Sequence, residues 1–109
     1  MTARIRRNYA LLKMLVTAPP QQRRAILCSA SDDLVSAIAE IAFNTVRGNV
    51  PLSGRQLGVL KKKKLILKKL GNKRASIKVK RKLLKQSGGF IGALLGLALP
   101  LITRLLGGG

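Results

Sequence analysis

Lysine and arginine dominate one stretch of this 109-residue chain, residues 55–85, which contains no Asp or Glu. Their cationic groups neutralise phosphates, and the release of condensed counterions then drives binding. Most of the stretch is lysine, which acts as a point charge, whereas bidentate reading of bases favours arginine. The stretch is therefore predicted to bind a polyanion independently of sequence. Fourteen residues form this basic block: Arg55, Lys61, Lys62, Lys63, Lys64, Lys68, Lys69, Lys73, Arg74, Lys78, Lys80, Arg81, Lys82 and Lys85.

Composition extends this prediction to the whole chain. The formal net charge is +19, from 22 basic and three acidic residues. Such an imbalance opposes compaction and favours nucleic acid or anionic lipid as a partner. The three aromatic residues, Tyr9, Phe43 and Phe90, all lie outside the basic block, so base stacking on a single strand has no support. DNA and RNA are both open as the polyanion at this point, and residues 61–64 are also typical of a nuclear-localisation patch.

The sequence offers little for catalysis, so no enzyme is predicted. It has no histidine, and its only acids are Asp32, Asp33 and Glu40, which fall in one predicted helix. Cys28 is the single cysteine, which excludes an intramolecular disulfide, and no metal site or cofactor is expected. Because Cys28 ends an apolar run, it is expected to be a small buried side chain.

Periodicity predicts short helices over residues 1–50. Apolar residues recur at helical spacing from Ile5 to Val16, and the Pro-Pro pair at 19–20 ends that helix while Pro20 suits the first turn of the next. Ser31 is a candidate N-cap for a further helix that ends near Gly48. The core-facing residues of that helix are predicted to be Leu34, Ile38, Ile41, Ala42 and Val46.

Residues 51–87 form the basic segment, also predicted helical. Ser53 is a candidate cap for a helix whose leucines at 57, 60, 67 and 70 share one face, and Gly71-Asn72 ends it. Ser76 caps a second helix over residues 77–86. The alternation of residues 77–80 also fits a short strand, but good helix formers follow it, so helix is favoured.

Residues 88–109 form an apolar, glycine-rich tail. No charge occurs between residues 86 and 103, a length close to the ~20 residues that span a bilayer. Gly88, Gly92 and Gly96 recur every four residues, which allows close approach of a second backbone. Two roles stay open, membrane insertion and packing on protein. The tail residues that would act in either are Phe90, Ile91, Leu94, Leu95, Leu97, Leu99, Leu101 and Ile102.

The order of these parts resembles a known group of viral proteins. A helical N-terminal part (residues 11–27) leads to the sequence Gly-Asn-Val-Pro-Leu-Ser (48–53), the lysine-rich block, and then Lys-Leu-Leu-Lys-Gln-Ser-Gly-Gly-Phe (82–90). This layout is similar to that of the small basic proteins encoded beside capsid genes in adintoviruses, Polinton-like elements and adomaviruses. Those proteins are compared with the adenovirus core protein X (mu) precursor, a DNA-condensing peptide with a hydrophobic C-terminal extension.

The resemblance implies a use for Gly88-Gly89. Adenovirus-type cysteine proteases cut after Gly-Gly or Gly-X when a favoured residue stands two places before the first glycine. This chain has Gln86 at that place, whereas Leu, Ile or Met is commoner. The alternative is a hinge and helix stop. A fragment ending at Gly89 in purified particles would identify processing.

Together these features predict an all-α fold, a small bundle of short helices with a lysine-rich helical segment and a hydrophobic C-terminal helix. The resemblance implies a non-enzymatic core or minor virion protein, found in the virion and the host nucleus, that condenses double-stranded DNA. Its further partners would be an anionic membrane, a capsid protein and a viral cysteine protease. The alternatives are a membrane-active, lytic or fusogenic protein and a cellular nucleic-acid-binding module; neighbouring capsid genes would favour the viral function.

Overall fold

The chain is helical throughout most of residues 3–105, the part that this computed structural model describes, with side chains described to residue 104. Residues 106–109 of the predicted tail lie outside this range. The all-α prediction is confirmed. The helices within the described range are α1 (Ala3–Arg7), α2 (Tyr9–Thr17), α3 (Pro20–Cys28), α4 (Asp32–Val46), α5 (Gly54–Lys61), α6 (Lys64–Leu70), α7 (Ile77–Gln86) and α8 (Gly88–Leu105).

Serine side chains cap the N-termini of three of these helices, as predicted. The side chain of Ser31 accepts a hydrogen bond from the backbone N–H three residues ahead at 3.1 Å, and Ser76 does the same at 3.2 Å. Ser53 forms a reciprocal capping box with Gln56, because each side chain accepts from the other's backbone N–H. Pro20 is the first residue of α3, and Gly48, with φ of +76°, follows the end of α4.

Two predicted helices are each interrupted. The helix expected from Ser53 to residue 70 divides into α5 and α6, because Lys63 leaves helical geometry at φ −120° and ψ 39°. Lys61 and Lys64 are three residues apart and would be neighbours on one face of a continuous helix, where like charges repel each other. The N-terminal helix divides at Asn8, whose side-chain amide donates to the carbonyl of Arg4 at 2.8 Å and to Asp33 at 2.8 Å.

Helix α8 forms a large part of the core, together with α4. It contacts α2, α3, α4, α5 and α7. Its inward residues are at most 4% exposed: Ile91, Leu94, Leu95, Ala98, Leu99 and Ile102. The other predicted tail residues, Phe90, Leu97 and Leu101, are half-buried against the same core. In this structure the tail therefore packs inside the protein.

The described part of the chain contains no single helix with the length and apolar composition needed to cross a membrane. Helices α7 and α8 meet those two criteria only when taken together, and they are bent by 98° at their junction. Gly88 and Gly89 form the first turn of α8 at this bend. The predicted processing site is therefore helical in this structure, and cleavage there stays a prediction.

Three glycines of α8, Gly88, Gly92 and Gly96, face α2 and α3. A Cβ atom at Gly88 would lie 3.7 Å from Leu27, and one at Gly96 would lie 3.8 Å from Val16 Cγ1. At Gly92 it would lie 2.8 Å from the guanidinium carbon of Arg23. That guanidinium donates to the carbonyls of residues 15 and 18 at the end of α2, at 2.9 and 3.1 Å. These glycines therefore make room for side chains of α2 and α3 in the same chain. The sequence pattern had predicted the close approach of a second backbone instead.

Two expectations about burial are wrong. Cys28 is exposed, not buried, because Leu27 occupies the inward position of α3 and the next residue turns about 100° away from it. Val46 is predicted to lie on the inward face of α4. It is the last residue of that helix, and it is 44% exposed. The other four predicted residues of that face are buried.

We expect Gly71→Ala to destabilise the fold. A Cβ at this position would lie 2.9 Å from both the Cα and the N of Phe43, so the backbone of α4 would have to shift. The expected decrease is about 1–3 kcal/mol of unfolding free energy, measured by urea denaturation. Gly58→Ala is the matched control, because nothing lies within 4 Å of its Cβ and alanine favours helix α5 by about 0.5–1 kcal/mol. Equal effects of the two substitutions would contradict the close crossing of α4 and α6.

Candidate nucleic-acid interface

Most cations of the basic block lie on the surface. Twelve of its fourteen residues are exposed, on α5, α6, α7 and the turns between them. The two that differ are Lys80, which is 9% exposed, and Arg81, which is half-buried. The block therefore presents twelve exposed positive charges.

Helix α7 divides its lysines between two faces. Lys78, Lys82 and Lys85 are spaced by four and three residues, so they form one exposed stripe. Lys80 and Leu84 are four residues apart on another face, and both are buried. The helix thus joins the core through one side and carries a row of charges on another.

Three more lysines border a groove beside the α5–α6 turn. Lys61, Lys64 and Lys68 line it at spacings of three and four residues. The groove has a volume of about 530 Å³ and an apolar floor that includes Leu60 and Leu67. No acidic side chain lines it. A phosphate backbone approaching this edge would meet positive charge only.

A second cleft, of about 440 Å³, lies between the end of α6 and helix α7. Lys69 of α6 and Lys82 of α7 both line it, together with Asn72 of the turn. Lysines that are distant along the chain therefore share one concave surface. The sequence predicted both as ligands for a polyanion but offered no reason to place them together.

A third cleft, of about 410 Å³, joins the basic block to the N-terminus. Lys73 and Lys80 line it with Arg4 of α1 and with the acidic Glu40 of α4. Arg4 is a candidate ligand that the sequence prediction missed. The only signal for it was the basic composition of residues 4–7, which does not reveal that α1 packs beside α4.

Two carboxylates at the start of α4 hold cations from distant helices. Asp32 pairs with Arg81 of α7 at 2.6 Å, and that guanidinium also donates to the carbonyl of Ala30. Asp33 pairs with Arg7 at 3.0 Å and with Arg4 at 3.4 Å. The sequence predicts that Arg81 contacts nucleic acid, but here it connects α7 to α4.

Hydrogen bonds to Asp33 change its acidity. Those donated by Arg7 and then Asn8 lower the pKa of its carboxyl from 3.8 to about 2. Within residues 3–104, no three His, Cys, Asp or Glu side chains lie together as a metal site would require.

Comparison of the chain with protein-family models, with curated protein sequences and with solved structures finds no match in any of the three.

We expect Asp33→Asn to reduce stability in a pH-dependent way. The folded pKa of Asp33 lies below its ordinary value, so its contribution is fully present above about pH 4 and disappears as the pH falls towards 2. Thermal unfolding of the native chain and the variant should therefore differ at pH 6 and converge at pH 2.

A double-mutant cycle with Arg7→Gln provides the control. In that background Asp33→Asn should have a smaller effect, because the main partner of the carboxylate is gone. A difference between native chain and variant that stays constant from pH 6 to pH 2 would contradict the pairing.

Proposed function

We propose that this protein is a non-enzymatic virion core or minor virion protein that neutralises and condenses double-stranded DNA through phosphate contacts. The observation that carries the proposal is the exposure of twelve cations of the basic block, with no acidic residue in the chain after Glu40. Neutralising the phosphates of a duplex removes its self-repulsion, which is what condensation requires.

The surroundings of the aromatic rings support backbone contacts over base stacking. The ammonium of Lys73 lies 4.3 Å from the ring centre of Phe43, and the guanidinium of Arg47 lies 5.5 Å from the same ring. Lys13 lies 5.6 Å from the ring of Tyr9. Cations therefore already lie against these two rings, and stacking of a base would have to displace them.

The resemblance to viral core proteins supports the location in a virion and passage through the host nucleus. It also supports a capsid protein and a viral cysteine protease as partners. A cut after Gly89 would leave α8 held only by its buried contacts, because its inward residues form the centre of the core. Processing would thus free the tail from the basic segment without by itself removing it from the fold.

We expect DNA affinity to fall steeply with salt, since binding to about 6–10 phosphates lowers it by ~10³–10⁵-fold between 50 and 200 mM. The triple variant Lys61→Gln, Lys64→Gln, Lys68→Gln removes the lysines of the α5–α6 groove. Each phosphate that is no longer neutralised should reduce the slope of log K against log salt by about 0.9, so the slope of the triple variant should be smaller by roughly 2–3. Fluorescence anisotropy with duplexes of unrelated sequence measures both quantities.

A second triple variant serves as the matched control. Lys13→Gln, Arg24→Gln, Arg104→Gln removes three exposed cations outside the basic block and lowers the net charge equally. It should change the slope by less than about 1. Equal reductions in the two triples would show that overall charge, and not the block, determines binding. Binding that is insensitive to salt would overturn the proposal.

The second candidate is a membrane-active protein, and the combined length and hydropathy of α7 and α8 favour it. Insertion would require α8 to leave the core, because its inward residues are buried. A disulfide between Val16→Cys and Gly96→Cys should prevent that step, since the γ position of residue 16 lies 3.8 Å from a Cβ at residue 96. Cys28→Ser removes the competing thiol.

For this candidate, the oxidised variant should fail to release dye from anionic vesicles, and reduction should restore the release seen with Cys28→Ser alone. Equal release in the oxidised and reduced states would show that α8 does not need to leave the core. No release by Cys28→Ser at any protein concentration would remove the membrane-active function.

A further inference from the structure

Lys80 stands apart from every other lysine of the chain. It is 9% exposed, and it forms no ion pair or hydrogen bond with any residue in the described part of the chain. Partial burial lowers the pKa of its ammonium, because the charged form loses part of its water. The stem of Lys80 is buried, but its nitrogen is not, since no buried side-chain nitrogen in the described part of the chain lacks a hydrogen-bond partner. A methionine would pack in place of the stem without the cost of partly desolvating a charge.

The side chain of Lys80 lines the cleft of about 410 Å³ between α1, α4 and the α6–α7 turn. Lys73 and Arg4 line the same cleft from two other elements. Both are anchored, Lys73 over the ring of Phe43 and Arg4 beside Asp33 at 3.4 Å. Three cations from three separate parts of the chain therefore converge on one concavity.

The charge of this cleft is positive. Glu40 also lines it, so three cations and one carboxylate give a lining of +2. Ser36 of α4 also lines this cleft. Bringing two or three cations around a single small anion is the arrangement that phosphate recognition uses, with lysine as a point charge and arginine as a planar donor.

We propose that the cleft formed by Arg4, Lys73 and Lys80 is a binding site for one phosphate group. This phosphate belongs either to a DNA backbone or to a free phosphate or phosphate ester. The site goes beyond the proposed DNA condensation, because exposed lysines alone suffice for that. A bound phosphate would supply the anion that Lys80 lacks and would stabilise its charged form.

The first arm of the test uses inorganic phosphate. At constant ionic strength and pH 7, phosphate should raise the unfolding temperature of the native chain by roughly 5 °C once it exceeds its Kd about tenfold. Lys80→Met should fold at least as stably without phosphate and should lose this increment. Lys78→Met is the matched control, because it removes an exposed lysine from the same helix and should keep the increment. Phosphate also stabilises proteins by exclusion from their surface, so the readout is the difference between variants.

A second variant keeps the test decisive if Lys80→Met fails to fold. Lys73→Met changes an exposed residue of the turn and should also lose the phosphate increment. The second arm uses duplex DNA at fixed salt, where Lys80→Met should weaken binding about tenfold more than Lys78→Met if a backbone phosphate occupies the cleft.

The outcomes separate the sources of phosphate and the two proposals. An increment that disappears only in the cleft variants identifies a site for free phosphate, even if the native chain binds no DNA and the proposed function fails. If phosphate does not raise the unfolding temperature, but Lys80→Met weakens DNA binding more than Lys78→Met does, the phosphate in the cleft belongs to a DNA backbone. Equal behaviour of Lys80→Met and Lys78→Met in both arms would overturn the cleft as a phosphate site.

Discussion

The buried apolar surface that α8 shares with α4 lets so basic a chain form a compact fold. Burial of one leucine or isoleucine side chain contributes about 1.5–3 kcal/mol, and Ile91, Leu94, Leu95 and Ile102 are all fully buried. An exposed ion pair contributes only about 0–1 kcal/mol. The repulsion of a +19 chain is therefore offset mainly by this core and not by its three acidic residues. The apolar tail and the basic block depend on each other, because the helices that carry the lysines pack on α8 or on helices that α8 supports.

The acids have a positional role instead. Asp32 and Asp33 lie in the first turn of α4, where their charge interacts favourably with the positive end of the helix dipole. Asp32 also pairs with Arg81, and Asp33 pairs with Arg4 and Arg7. Arginines take these pairs, while most lysines of the basic block stay exposed. Arginine forms the better directed pairs, which suits it to connecting the protein's own helices, whereas the exposed cations of the basic block are mostly lysine.

Much of the candidate interface was predictable from the sequence, because exposure is the default for lysine and twelve of the fourteen predicted residues are exposed. Lys80 and Arg81 are the exceptions, and nothing in their local pattern distinguishes them from Lys78 and Lys82. Their environments come from α4 and α1, which precede them by more than thirty residues. Arg4 was likewise not predicted, because its place in the cleft depends on the packing of α1 beside α4. Cys28 is the opposite case. Its apolar local sequence suggested burial, but it follows the inward-facing Leu27 on α3 and is exposed.

The sequence alone determined the helical class and the helix starts at Ser31, Ser53 and Ser76, because capping and periodicity act within about four residues. It also determined the location of the basic block. The tertiary structure decided which faces are covered. It placed α8 in the core and turned Gly88, Gly92 and Gly96 towards α2 and α3. It also buried the stem of one lysine of the block beside a cleft. These outcomes depend on contacts between distant helices, and no local pattern of residue types contains them.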